Sequence, residues 1–248
     1  MSIHMQLAAP LMRTSGFPEF VRMREWSEPG FRHKLVRWWG AAGQTDPYSW
    51  LPWIMLNPST ADGKVNDPTL LRIIRFSWMW GFNGLVVFNV FPWRTSSPRE
   101  LAQTVVGWAE RQDWWVRDTI WLNHNRIAKE LEPIDAAMVA WGSPAGSLGF
   151  ETEQWVEQLF DTINSDTSKR ERTLQLWCLG STKAGDPIHP MARGRHRVPN
   201  DARPVLFDNP GTISLGEPVS PAPRLALLQP AVAPPSPQGV FRFGEGHD

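Results

Sequence analysis

The sequence predicts an α/β protein with a mostly parallel central sheet. Short apolar runs rich in β-branched residues alternate with segments of helical periodicity along most of the chain. Gly or Pro bounds several of these runs, which is typical of buried parallel strands. Each run also ends in a polar or glycine-bearing turn. Because the carboxyl ends of parallel strands form the edge at which α/β proteins bind ligands, we expect a ligand site there.

The first part of this pattern consists of two strands, a helix and a third strand. "RHKLVRWWG" (32–40) and "WLPWIML" (50–56) are predicted strands. A helix is predicted next, because Asp67 suits the N-cap, proline follows it at the first helical position, and a glycine follows the last periodic residue. "GLVVFNVF" (84–91) is a continuous apolar run of the kind found in buried parallel strands.

The second part begins with a capping box in "SPRE" (97–100), where Ser97 is the cap and Glu100 stands three positions on. One long amphipathic helix, or two, is predicted from there to about Leu131. The elements predicted after it are a strand, a helix and a strand, in "AAMVAWG" (136–142), "ETEQWVEQLFDTI" (151–163) and "TLQLWCLG" (173–180). Residues 1–208 are expected to form a single domain, and the Pro-rich residues 209–248 an extended tail.

Composition and missing motifs exclude several classes of protein. The chain has no apolar run of membrane-spanning length, and residues 1–16 lack the apolar core of a secretory signal, so we expect a cytoplasmic protein without a membrane partner. A single cysteine, Cys178, excludes a four-cysteine metal site, and the histidines lack metal-ligand spacing. We expect no metal cluster and no cofactor. Dinucleotide, Walker, zinc-protease and serine-elbow motifs are also missing.

Charge is balanced, with 25 basic and 25 acidic residues, which counts against binding nucleic acid through bulk charge but leaves a local basic patch open. The one basic concentration is the segment "HPMARGRHRVPNDARP" (189–204), which suits phosphate contact. Its arginines include Arg193, Arg195 and Arg197.

Polar residues at the predicted strand ends are the candidates for the ligand site. For any one of them alone, a role as turn former or cap is the better explanation. Asn89 differs, because an amide inside "VVFNVF" must find buried partners or costs about 1–3 kcal/mol. The residues expected to converge are Asn57, Asn89, Arg94, Ser143, Lys183 and His189.

The order of motifs resembles two families. "LNPSTAD", "NVFPWR", "AWG" and the segment 178–190 resemble the family labelled domain of unknown function 1643, over roughly residues 30–195. More distantly, "MLNPS", "VFNVFPWR", "VAWGSPA" and "IHPMARGR" resemble, in the same order, four strand-end motifs of the uracil-DNA glycosylase superfamily. The second resemblance implies a three-layer sandwich like that of these glycosylases.

The glycosylase resemblance also implies roles for individual residues. Asn57 would position the hydrolytic water, Asn89 would hydrogen-bond a flipped-out pyrimidine, and His189 would donate to the O2 atom of the base. Ser59 stands where thymine-excluding relatives carry Tyr, which leaves room for a substituent at the pyrimidine 5-position. Further residues are expected to bind substrate (Pro58, Ser59, Arg94), to contact DNA (Ser143, Lys183, Arg193, Arg195, Arg197) or to assist the reaction (Asp62, Asp67).

The resulting expectation is a DNA glycosylase-like hydrolase that excises a modified, 5-substituted pyrimidine, in repair or in restriction of modified phage DNA. Its partner would be DNA, and the resemblance names no protein partner. Two alternatives stay open at this point. One is an enzyme acting on a free modified nucleotide in the same cleft. The other is a nucleic-acid-binding module without catalytic activity.

Overall fold

The sheet and helices of the protein are seen in a computed structural model that describes residues 17–18, 21–39, 50–59, 65–134, 136–165 and 174–207. Asp62 and the tail predicted over 209–248 lie outside the described residues. The described residues form an α/β fold. Its strands are β1 (Arg22–Glu28), β2 (Phe31–Trp38), β3 (Trp50–Met55), β4 (Gly84–Asn89), β5 (Ala136–Val139), β6 (Gln175–Cys178) and β7 (Val205–Leu206). Its helices are α1 (Pro68–Met79), α2 (Pro98–Val105), α3 (Trp114–Leu131) and α4 (Gly146–Asn164).

The sheet of the described residues is mixed, with the order β1-β2-β4-β3-β5-β6-β7. The four central strands β4, β3, β5 and β6 are parallel, whereas β1–β2, β2–β4 and β6–β7 pair in antiparallel fashion. The expectation of a mostly parallel sheet is therefore correct for the centre and wrong for the edges. Strand β1 was missed because it is largely exposed and carries no apolar run, and β7 because it is only two residues long.

The predicted helix starts are confirmed in their main features. Asp67 caps α1, its Oδ1 accepting from the backbone nitrogen of Leu70 at 2.7 Å. At α2, Ser97 Oγ accepts from the nitrogen of Glu100 at 3.3 Å, as the capping box predicts. The reciprocal arm of the box runs through Thr95, whose hydroxyl donates to Glu100 and accepts from the Ser97 nitrogen. The long amphipathic segment forms two helices, α2 and α3.

Helix α4 begins at Gly146, earlier than the predicted start at 151. Two glycines, Gly146 and Gly149, lie in its first turn and lower the helix propensity that the prediction relies on. The apolar periodicity nevertheless starts there, because Leu148 is buried in the core. Packing of this side chain therefore overrides local propensity.

Alternate residues of the central strands enter two separate hydrophobic clusters. Ile54 and Phe88 pack in one cluster with α2, α3 and α4, whereas Trp53 and Val87 pack in the other with α1. The indole nitrogen of Trp53 donates to Ser77 Oγ on α1 at 3.0 Å. Burying both faces explains why the central strands read as continuous apolar runs.

The path of the chain creates a crevice at the carboxyl ends of β3 and β5. The chain runs from β3 through α1 to β4 on one side, and from β5 through α4 to β6 on the other. Neighbouring strands whose connections leave in opposite directions form the usual ligand crevice of α/β sheets. Strands β3 and β5 pair through only Trp53↔Met138 and Ile54↔Val139.

Helix α3 satisfies the backbone carbonyls at the end of β4. Asn123 Nδ2 donates to the carbonyl of Asn89 at 2.8 Å, and His124 Nε2 contacts the carbonyl of Val90 at 2.9 Å. His124 is fully buried and its Nδ1 contacts Gln158 of α4. Burial lowers the pKa of His124 to about 4, so the ring is neutral near pH 7.

We expect His124 to make the protein sensitive to mild acid. Because its pKa is lowered from 6.5 to about 4 in the folded state, the unfolded chain binds the proton more tightly. The stability that neutral His124 contributes is complete above pH 6.5 and is lost as the pH falls towards 4. The full loss in the free energy of unfolding is about 3 kcal/mol.

Urea unfolding across this pH range measures the effect. The variant His124→Gln should show a flatter dependence of the free energy of unfolding on pH, whereas Asn125→Gln, which changes a non-titratable residue of the same helix, should follow the wild type. Equal pH slopes for His124→Gln and the wild type would contradict the assignment.

Candidate functional site

A cavity of about 290 Å³ opens at the carboxyl ends of the central strands. Apolar side chains from β3, β4 and α1 form part of its wall, among them Met55, Val87 and Ile73, and Trp141 follows β5. The polar residues of the wall are Arg32, Asn57, Ser59, Asp67, Thr69, Asn89, Thr95, Ser96 and His189. A concave site that combines apolar walls with convergent polar groups suits a small molecule or a nucleobase.

The loops that follow β3 and β4 form one hydrogen-bonded unit. The parallel register pairs Met55 with Asn89, and it continues beyond the strands as Val90 N to Met55 O at 2.9 Å and Phe91 N to Leu56 O at 2.8 Å. Further on, the nitrogen of Thr95 donates to the carbonyl of Pro58 at 3.0 Å. The two loops therefore hold a fixed position relative to each other.

Asn57 joins these loops through its side chain. Its Nδ2 donates to the carbonyl of Thr95 at 2.7 Å and to that of Trp93 at 3.4 Å. These carbonyls accept only, so the orientation of the amide is fixed, with nitrogen towards the loop. No described residue donates to Oδ1 of Asn57. This oxygen is the group that Asn57 can offer to a ligand or water in the cavity.

Asn89 is a buried cavity residue whose side-chain amide the described part of the fold leaves without a hydrogen bond. Its side chain is 1% exposed and lines the cavity at the end of β4. Neither Nδ2 nor Oδ1 has a hydrogen-bond partner among the described residues. Such a group costs about 1–3 kcal/mol, and buried amides are nearly always paired. A ligand with an adjacent donor and acceptor would satisfy both atoms.

His189 reaches the cavity through the loop that follows β6. The nitrogen of Ile188 donates to the carbonyl of Gly180, and that of Gly142 to the carbonyl of Pro187, which brings this loop against the end of β5. Nδ1 of His189 accepts from the nitrogen of Met191 at 3.1 Å, so the proton of the neutral ring is on Nε2. Burial lowers the pKa of His189, and the nearby Asp67 carboxylate raises it in part.

Asp67 and Ser59 are occupied with each other. Ser59 Oγ donates to Oδ2 of Asp67, while Oδ1 caps α1 through Leu70. Both oxygens of Asp67 therefore have partners, and this residue fixes the start of α1 and adds negative charge to the cavity wall. Its assistance in a reaction stays a prediction.

Two expected substrate-binding residues lie outside the cavity wall. Pro58 is buried and acts through its carbonyl, which accepts from Thr95. Arg94 forms an ion pair with Glu25 of β1 at 2.8 Å, so it fastens the loop after β4 to the edge strand. The sequence could not indicate this contact, because β1 itself was not predicted.

The expected DNA-binding residues are exposed and do not line the cavity. Ser143 Oγ donates to Asp186 at 2.5 Å. The basic loop is held on α1, because the guanidinium of Arg72 donates to the Val198 carbonyl and to Asn200, and Trp80 Nε1 donates to the Ala202 carbonyl. The exposed basic residues are Lys183, Arg193, Arg195 and Arg197.

Arg32 is a cavity residue that sequence reasoning missed. The pairing of β1 with β2 passes from Trp26↔Lys34 to Ser27↔Arg32 and skips His33, which marks a β-bulge. Strict alternation would put Arg32 and Lys34 on one face. With the bulge, Lys34 instead contacts Glu130 of α3, while Arg32 lines the cavity on the α1 side.

The Arg32 side chain is 3% exposed. Burial, followed by the charge of Arg94, lowers the pKa of Arg32 to about 10, and Glu25 and Asp67 act in the opposite direction. The guanidinium therefore stays charged at neutral pH.

Comparison with known proteins gives one finding. The family model described as "Protein of unknown function (DUF1643)" matches residues 32–191, a range that contains every cavity-wall residue from Arg32 to His189. No curated protein and no solved structure gives a match. Among the described residues, no helix has the length and apolar composition to cross a membrane. No cluster of three or more potential metal ligands occurs in this same part of the chain.

We expect Asn89→Leu to stabilise the protein, by up to about 2 kcal/mol, because it replaces an unpaired buried amide with an apolar side chain of similar size. The matched control is Asn123→Leu, which removes the bond to the Asn89 carbonyl and should destabilise by about 1–3 kcal/mol. Urea unfolding of both variants measures the difference. A loss of stability in Asn89→Leu as large as in Asn123→Leu would mean that Asn89 has a structural partner.

We expect Gly142→Ala to displace His189. Gly142 has φ of +79°, and an added Cβ would lie 3.2 Å from the Cβ of His189. Gly146→Ala is the matched control, since Gly146 also has a positive φ, +63°, but meets nothing within 4 Å. Both variants should lose about 1–2 kcal/mol to backbone strain. Only Gly142→Ala should also shift the imidazole NMR signals of His189, and identical spectra for the two variants would contradict this contact.

Proposed function

The chain belongs to the DUF1643 family, and we propose that it is a DNA glycosylase-like hydrolase that removes a 5-substituted pyrimidine from DNA. The C1′–N1 bond of the nucleotide breaks, the oxygen of water bonds to C1′, and the base leaves and takes up a proton. We further propose a three-layer arrangement like that of the uracil-DNA glycosylases and a cytoplasmic location. The biological setting would be repair, or restriction of modified phage DNA.

The unpaired amide of Asn89 is the observation that carries this proposal. A pyrimidine has adjacent donor and acceptor atoms on its Watson–Crick edge, and an asparagine amide is their complement. Inside a duplex this edge is paired, so the base would have to leave the stack to meet Asn89. A buried amide without a hydrogen-bond partner destabilises the folded protein, and hydrogen bonds to a base would explain why it is present.

His189 and Asn57 supply the groups that cleavage needs. Neutral His189 carries its proton on Nε2 and can donate to O2 of the base, where negative charge grows as the bond to the sugar breaks. Asn57 is held by Thr95 through its nitrogen and can accept a hydrogen bond from water through Oδ1. Glycosidic cleavage passes through a cation-like sugar, so a positioned water can react without a strong base.

Features around the cavity support a substituted base within DNA. Ser59 is small and is turned towards Asp67, which leaves space where a Tyr would crowd the 5-position. The exposed arginines of the loop held by Arg72 offer positive charge to the phosphates on either side of the base. The volume of about 290 Å³ suits a single base.

The test is release of base from a panel of DNAs that contain uracil, thymine, 5-hydroxymethyl and glycosylated pyrimidines. Released base and alkali-labile abasic sites are scored together. We expect cleavage of 5-substituted pyrimidines, lowered about 10²–10³-fold or more in Asn57→Ala and in His189→Ala. Asn125→Ala, which changes the same residue type as Asn57→Ala but outside the cavity, should keep the wild-type rate.

Three results would contradict the proposal in different ways. Full activity in both Asn57→Ala and His189→Ala would overturn the site assignment. DNA binding with steep salt dependence but no cleavage would indicate a binding module. The absence of both binding and cleavage would point to a free nucleotide as the substrate.

A further inference from the structure

We propose that Arg32 binds an anionic substituent at the 5-position of the base, so that a carboxylated pyrimidine is the preferred substrate. This inference rests on the proposed function, because it concerns the base that enters the same cavity. Arg32 lies outside the strand-end motifs, and the inference is that it selects among 5-substituted pyrimidines.

The burial that Arg32 and Asn89 share in the cavity wall is the first argument. Both line the cavity and are almost completely buried, at 3% and 1% exposure, whereas Asn57 and His189 are partly exposed. Arg32 and Asn89 are therefore the two buried polar side chains of the described cavity wall. If Asn89 pairs with ring positions 3 and 4, the substituent on the adjacent position 5 enters the buried part of the cavity, where Arg32 supplies the positive charge.

The way in which Arg32 reaches the cavity is the second argument. The direction of the Arg32 side chain depends on the bulge at His33. Without the bulge, the alternation of side chains along β2 would turn Arg32 towards α3. Bulges next to binding sites commonly redirect a side chain, and they interrupt strand pairing to do so. A strand edge with regular pairing would have placed Arg32 with Lys34, away from the ligand.

The chemistry of the guanidinium is the third argument. Arginine has five N–H donors and no acceptor, so the ligand group that faces it must accept hydrogen bonds. A carboxylate accepts two of them side by side and also brings the opposite charge. A methyl group offers neither, and a hydroxymethyl group offers one neutral acceptor. Apart from His189, Arg32 is the one basic side chain in the cavity wall as far as the structure describes it.

A matched series of DNA oligonucleotides tests the inference. Each contains one cytosine with a 5-methyl, 5-hydroxymethyl, 5-formyl or 5-carboxyl group, and both equilibrium binding and base release are measured. We expect the wild type to bind the 5-carboxyl base about 10- to 100-fold more tightly than the 5-hydroxymethyl base. Arg32→Gln should reduce the 5-carboxyl affinity to that of the 5-methyl base, and Arg32→Lys should retain part of the preference.

The outcomes for the inference and for the proposed function are distinguishable. Release of other 5-substituted bases without any carboxyl preference would overturn the role of Arg32 and leave the glycosylase proposal standing. A carboxyl preference in binding without base release would support Arg32 and overturn the glycosylase. If Arg32→Gln fails to fold, as judged by circular dichroism, the affinities of the wild type for the four bases decide whether the carboxyl preference exists.

Discussion

The hydrogen-bond register between β3 and β4 is the constraint on which the cavity depends. It pairs Met55 with Asn89 and continues past the ends of both strands to the bonds of Thr95. The side chain of Asn57 then closes the unit from within. A shift of one residue would turn Asn89 to the opposite face of the sheet, because side chains alternate along a strand. Backbone pairing therefore sets the geometry between the two asparagines that we assign to water and base.

The cavity concentrates polar groups that a core would normally avoid. Asn89 is unpaired in the described structure, Arg32 is a buried charge, and His189 is held neutral by burial. The surrounding packing offsets these costs, since the two hydrophobic clusters bury both faces of the central strands. Helix α3 contributes in another way, because Asn123 and His124 satisfy the carbonyls of the same segment. Packing and hydrogen bonds outside the cavity thus offset the cost of burying these polar groups.

Local signals predicted the parts of the fold and site that depend on local chemistry. The N-cap at Asp67 and the buried run of β4 follow from neighbouring residues. Asn89 is recognisable as a candidate site residue because it interrupts an apolar run. Features that depend on distant segments could not be read in the same way. The antiparallel edges, the partner of Arg94 on β1 and the bulge that redirects Arg32 all arise from pairing between strands. The sequence predicted that Asn57, Asn89 and His189 converge, but it did not indicate Arg32.

The short pairing between β3 and β5 has a consequence for how the pocket could be re-engineered. Only two residue pairs join these strands. Arg32, Asn57 and Asn89 belong to the segment on one side of this seam, and Gly142 and His189 to the segment on the other. Each half is fixed by its own hydrogen bonds, through Thr95 in the first and Met191 in the second. The pocket is in this sense modular, so the base recognition and the hydrogen-bond donation that we propose are open to separate redesign.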